Sequence, residues 1–195
     1  MEDECYFLRE YTRGVGYQAS DTNQLIANLK KSTERRGQRD YRYKQQAIEI
    51  AGREFRSALN PEWLRTATLV PIPPSSNRDD PRYDDRITQV IQVVTSGLQA
   101  DIRELIMQRE STIPAHLSGN YRPTVAEIME NYAIDETLTE PTPNRIGVFD
   151  DILTAGSHFR AAKLLLQQRF GAIPVVGIFV ARRIFPREQD PQQSG

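Results

Sequence analysis

Two adjacent carboxylates, Asp150 and Asp151, and the small-residue turn that follows them, Thr154-Ala155-Gly156-Ser157, suit chemistry by type and spacing. They close a short apolar run, Ile146-Gly147-Val148-Phe149, that reads as a strand stopping at the acids, and a helix-period run follows the turn. A strand ending in acids, then a small-residue turn into a helix, makes a binding site at the carboxyl edge of a parallel sheet. Small side chains let backbone N–H groups approach an anion, and the helix adds roughly half a positive charge at its N-terminus. Phosphate directly over the acids is disfavoured: two unit charges about 6 Å apart repel by roughly 3 kcal/mol at an effective dielectric near 20. Placing phosphate on the N–H groups of residues 153–158 leaves the carboxylates for hydroxyl groups or a divalent cation. A sugar 5-phosphate supplies both halves, with ribose hydroxyls on Asp150 and Asp151. The plainer alternative is an ordinary strand-to-helix loop with a solvated acid pair.

The segment VFDDILTAGSH closely resembles the phosphoribosyl-pyrophosphate (PRPP) signature of type I phosphoribosyltransferases: hydrophobic residues, two acids, two aliphatics, Thr-Thr-Gly and a small residue. The resemblance runs over residues 148–157 and departs once, where Ala155 stands in place of the second Thr. That removes one hydroxyl contact to the 5-phosphate and leaves the backbone donors. The resemblance implies an α/β fold with a mainly parallel central sheet flanked by helices. It implies Asp150 and Asp151 as the catalytic acids at the ribose, touching Mg2+ only indirectly, through ligand or water. It implies the 5-phosphate on Leu153, Thr154, Ala155, Gly156, Ser157 and His158, although a lone His at a helix start is more often structural. The expected reaction is magnesium-dependent transfer of phosphoribose from PRPP to a nitrogen acceptor, with release of pyrophosphate. The acceptor's pocket lies in variable loops and is not legible.

A second loop matches the first in character. Residues 67–72 (ATLVPI) read as a buried strand that runs through Pro71 into Pro73 and Pro74. In the resembled family the loop after this strand holds the pyrophosphate, which assigns it here to Pro74, Ser75, Ser76 and Asn77. Arg78, Arg82 and Arg86 then suit phosphate neutralisation, and Asp79, Asp80, Asp84 and Asp85 suit ordering those arginines or approaching magnesium through water. The PIPP start looks most like the ComF-like branch, where a basic residue commonly stands at the position of Ser76. Without the resemblance, the same loop is a polar turn with acids at a helix N-terminus. A long polar stretch, residues 108–123, fits the mobile loop that closes over the reaction in the family, with Arg109 and His116 on it. Both side chains serve equally well as plain solvent-exposed groups.

These sites need elements to carry them. Residues 5–12 read as a strand, and residues 22–31 as a short helix capped by Ser20 or Asp21. Ile48, Ala51, Phe55 and Leu59 predict a helix over residues 42–59 that ends at Asn60-Pro61. Ile87, Val90, Ile91, Val94 and Leu98 make a helical stripe that covers the sheet. Residues 100–107 fit a second parallel strand, with a pattern equally compatible with a short helix. Thr124 with Glu127 forms a capping box for a helix over residues 125–132. Phe159, Ala162, Leu166 and Phe170 make another stripe, ended by Gly171, and residues 173–180 (IPVVGIFV) read as a strand buried on both faces. The domain reading is a cover or hood over residues 1–65, a phosphoribosyltransferase-like core over 66–182 and a flexible tail over 183–195.

With 25 Lys and Arg against 26 Asp and Glu, the net charge of -1 gives no global pull toward nucleic acid or anionic membrane. The basic run at residues 30–44 has interleaved tyrosines and suits nucleic-acid phosphates, but such runs are more often solvated. The single Cys5 suits a packed thiol in a reducing compartment. No apolar run approaches membrane-spanning length, and the acidic start has the wrong sign for a signal peptide, so a cytoplasmic protein is expected. Assembly as a homo-oligomer or in a larger complex is left open. The rival to the enzyme is a ligand sensor or complex subunit on the same fold, without turnover. It draws on Ala155, on the missing basic residue at Ser76 and on the association of ComF-like proteins with DNA uptake.

Overall fold

The computed structural model of the protein describes residues 3–112 and 122–185. The chain opens with strand β1 (Cys5–Thr12), then helices α1 (Asp21–Leu29), α2 (Arg42–Ala58) and α3 (Pro61–Thr66). Strand β2 (Thr68–Pro71), helix α4 (Arg86–Val94) and the short strands β3 (Asp101–Ile102) and β4 (Ile106–Gln108) follow. Helix α5 (Val125–Asn131), β5 (Tyr132–Ile134), β6 (Ile146–Leu153), α6 (Ser157–Phe170) and β7 (Val175–Ile184) complete the fold.

Five strands form an all-parallel central sheet in the order β1-β7-β6-β2-β3, the α/β architecture expected. Strand alternation sorts the core into two layers. Leu69, Phe149, Ile178 and Val180 meet α1 to α4 on one face, where Phe55 and Phe149 pack edge to face with centroids 5.6 Å apart. Val70, Val148 and Phe179 meet α5, α6 and the β4–β5 ribbon on the other, with Phe159 against Phe179 at 6.1 Å. Gly52 sets the spacing of the first layer. A Cβ there would lie 2.4 Å from Val93 Cβ, so only glycine lets α2 lie this close to α4.

Most helices start and stop where their side chains dictate. Ser20 caps α1 by accepting from Asn23 N at 3.0 Å, and Asn23 in turn grips Thr12 N and O at 3.2 and 2.9 Å. Thr124 and Glu127 form the expected capping box on α5, and Gly171 ends α6. Asn60-Pro61 does end α2, but Pro61 at once begins α3, with Asn60 Oδ1 accepting from Glu62 N at 2.8 Å.

Four expectations differ. Residues 100–107 are not one strand. The chain leaves the sheet after Ile102 because buried Arg103 must find acceptors: Asp101 at 2.7 Å, Leu138 O at 3.0 Å and Pro141 O at 2.8 Å. Residues 106–108 then pair antiparallel with β5 in a separate ribbon. β6 does not stop at the acids but runs through them to Leu153, paired with Arg182 of β7. β7 extends four residues past Val180, to Ile184, because β1 pairs along its outer side. Residues 1–65, expected as a cover, build into the fold itself by supplying the edge strand β1 and helices α1 to α3. Of the tail, Arg183 and Ile184 finish β7, and residues 186–195 lie outside those described. Among the described residues no helix is long and apolar enough to cross a membrane.

Candidate functional site

Because every strand of the central sheet runs the same way, the ends of β2 and β6 open at one edge. Out of β2 comes the loop of residues 72–85, which leads into α4; out of β6 comes the turn into α6. The two stretches singled out by sequence are therefore neighbours, hung on adjacent strands.

Alternation along β6 sends its acids to opposite faces. Asp151 shares the face of Phe149 and is 4% exposed, with both oxygens taken. Lys30 Nζ, from the end of α1, lies 2.9 Å from Oδ1, and Arg86 at the start of α4 donates to Oδ2 from Nη2 at 2.6 Å and Nε at 3.2 Å. Burial opposes the Asp151 charge, but Lys30 and Arg86 outweigh it and hold this carboxyl far below the usual range. Arg86 Nη1 also donates to Asp84 Oδ2 at 2.9 Å, which accepts from Lys44 Nζ at 2.8 Å. Lys44 is 1% exposed and donates to Leu29 O, at the end of α1, and to Lys31 O just beyond it, at 2.8 Å each. Burial lowers the Lys44 pKa against the pull of Asp84. The result is an alternating chain, Lys30–Asp151–Arg86–Asp84–Lys44, that ties the first two helices to the site. Asp84 Oδ1 is the one buried side-chain polar atom left without a partner among the described residues.

Asp150 points to the other face, half-buried, with no ion pair among the described residues; its Oδ1 accepts from Asp151 N at 2.7 Å. Burial, and then the charge of Asp151, raise its pKa above the ordinary carboxylate range. On this side the buried Tyr132 hydroxyl meets His158 Nδ1 at 2.9 Å, and burial at this contact lowers the pKa of His158. Burial, with a contribution from the charge of Asp150, pushes the Tyr132 hydroxyl up.

The turn between them is open. Leu153 is still a strand residue, Thr154 and Ala155 are exposed, and Gly156 takes φ 77°, the left-handed conformation that glycine favours, as the N-cap of α6. Ser157 and His158 occupy the first turn of α6, whose leading N–H groups have no acceptor within the helix.

The loop after β2 is less open than its composition suggests. Pro74 O accepts from Gln108 Nε2 at 2.6 Å, Ser75 O from Thr112 N at 2.7 Å, and Asn77 N donates to Ser111 Oγ at 3.0 Å. Ser76 lies between these anchors, half-buried. All three arginines expected at phosphate are closed onto carboxylates: Arg86 on Asp84 and Asp151 as above, Arg82 on Asp80 at 2.7 Å, and Arg78 on Asp135 at 2.7 Å and Glu104 at 3.3 Å. Asp85, at the N-cap of α4, accepts from Gln89 at 2.7 Å, leaving Asp80 and Asp84 as the acids that order arginines. Of the expected lid, residues 109–112 run along this loop; Arg109 N donates to Asn131 O at 2.8 Å and its side chain is exposed. His116 lies outside the described residues.

The site residues absent from the expectation are Lys30, Lys44 and Tyr132. Lys44 precedes Ile48 by one helical step, on the same buried stripe of α2, and that spacing is the signal that marks it as internal. Lys30 sits at the C-terminal cap of α1, a favoured place for a cation, but no local pattern ties it to Asp151.

Among the described residues no group of three His, Cys, Asp or Glu side chains is placed to hold a metal by itself. The donor set suits a hydrated hard cation held partly by a ligand: Asp150 is a carboxylate without an ion pair among the described residues, whose burial and repulsion a cation would relieve. No family model and no curated protein matches the chain.

Proposed function

We propose that the protein is a magnesium-dependent phosphoribosyltransferase that binds PRPP and transfers phosphoribose to a nitrogen acceptor, releasing pyrophosphate. One observation carries the reading. The acid pair, the open turn and the first turn of α6 lie in sequence at the carboxyl edge of a parallel sheet, beside the loop from adjacent β2. That is the arrangement a sugar phosphate with charge at both ends requires. In this reading the N–H groups of residues 154–158 hold the 5-phosphate, Asp150 accepts from a ribose hydroxyl, and the loop at residues 74–77 faces the diphosphate. Asp150 would hold magnesium through ligand or water, and the ion would supply charge neutralisation for the departing pyrophosphate. The chain's own contribution is to position the sugar and exclude water from a cationic sugar carbon. The single Cys5 and the absence of disulfides it entails fit a reducing cytoplasm as the place of reaction. Nucleic acid has no part in the proposal, since Lys30 and Lys44 of the basic run turn to the carboxylates of Asp151 and Asp84 and Lys31 pairs with Asp40 of the run itself.

A second reading, a sensor that binds PRPP without turnover, is favoured by Arg78 and Arg82 being closed onto carboxylates. Titrating PRPP with and without magnesium, then screening nitrogen acceptors for pyrophosphate release, separates the two. Binding with release supports the enzyme; binding without release across a broad screen supports the sensor; no binding removes both.

A further inference from the structure

Three cations stand at the sheet edge in the alternating chain, and they are not equally committed. Lys44 is enclosed, with its three donors spent on Asp84 and two carbonyls. Arg86 is divided between Asp84 and Asp151, through three nitrogens. Lys30 is different: its side chain is 42% exposed and, among the described residues, makes one polar contact, the 2.9 Å pair with Asp151 Oδ1. Removing Lys30 from that pair does not strand a buried charge, because Arg86 keeps both of its bonds to Asp151 Oδ2.

Resting on the proposed function, the geometry points to Lys30 as a ligand-binding residue, the exchangeable countercharge for the diphosphate of PRPP. An incoming ligand that carries both a polyanion and a sugar hydroxyl replaces the Lys30–Asp151 pair on both sides at once. The ammonium swings from Asp151 to the anion, and the vacated Oδ1 accepts from the hydroxyl. Neither group loses a partner in the exchange, which keeps its cost low. The loop at residues 74–77 has no cation of its own, and Arg78 and Arg82 beyond it are closed onto carboxylates. Lys30 reaches the junction between that loop and the acid pair, since it shares Asp151 with Arg86, where the loop ends. The missing charge is thus supplied from the first helix, by a residue more than a hundred positions from the acids.

The test compares two ligands that differ at the sugar's C1, PRPP and ribose 5-phosphate, by calorimetry with magnesium present. Wild type is set beside Lys30→Gln, Lys30→Arg and the neighbouring control Lys31→Gln. The expected result is PRPP affinity at least about tenfold weaker in Lys30→Gln. Ribose 5-phosphate affinity should be unchanged or tighter, because Asp151 Oδ1 is then released. Lys30→Arg should keep PRPP affinity within about threefold, and Lys31→Gln should match wild type. Equal weakening for both ligands in Lys30→Gln would mean that Lys30 only orders Asp151, and would overturn the inference, as would no change for either. A wild type that binds neither ligand is a different outcome and overturns the proposed function along with it.

Discussion

Asp150 and Asp151 are neighbours in the chain, but Asp151 is ion-paired with two cations and Asp150, among the described residues, with none. For Asp150 the folded pKa lies above the unfolded value of about 3.9. The fold is therefore most favoured below the unfolded pKa and loses that contribution as pH rises through the folded one. Asp150→Asn removes the buried charge, so this variant should gain about 1–3 kcal/mol over wild type at pH 8. The gain should vanish near pH 4, while ribose 5-phosphate binding weakens at neutral pH; denaturant melts across that range check the first part. Asp151→Asn should behave in the opposite way. It takes a paired acceptor from Lys30 and Arg86 in a buried setting, so a loss of about 3 kcal/mol at pH 7 is expected. Thermal unfolding at equal or greater stability than wild type would show that the ion chain is not what holds Asp151.

At the scale of elements, the contact of α2 with α4 is set by one missing side chain. Gly52→Ala gains up to about 1 kcal/mol in helix propensity, but its Cβ would lie 2.4 Å from Val93 Cβ. Overpacking should win, with a net loss of about 1–2 kcal/mol that Val93→Ala partly restores in the double variant. Equal unfolding midpoints for Gly52→Ala and wild type would contradict the close packing. In the turn into α6, Ala155 is exposed, leaving room for a hydroxyl. Ala155→Thr should tighten ribose 5-phosphate binding by about two- to tenfold, the worth of one added hydrogen bond. These elements were legible because Ile48, Ala51 and Phe55, or Thr124 and Glu127, declare a helix by spacing and capping within one stretch. Arg103 shows the opposite case. Its neighbours read as a strand, and only the distant carbonyls of Leu138 and Pro141 explain why the chain leaves the sheet there. The turn at 154–157 was visible in sequence, whereas Lys30 was not, since its partner lies in another part of the chain.

Over the whole molecule, the first 65 residues belong to the sheet and to the site. They contribute β1, three of the four helices of one core layer and two of the three cations in the alternating chain. A chain starting at residue 66 should therefore fail to unfold cooperatively, because β7 loses its outer partner and Asp84 its buried lysine. A sharp melt from that fragment would restore the separate cover. The central claim, a PRPP site built on Asp150 and the turn into α6, is tested most directly by calorimetric titration of PRPP with magnesium into wild type and Asp150→Asn. The account predicts saturable, one-to-one binding by wild type, competed by ribose 5-phosphate, and at least about tenfold weaker binding by the variant. Absence of binding by the wild type, or equal affinity in the two proteins, would contradict it.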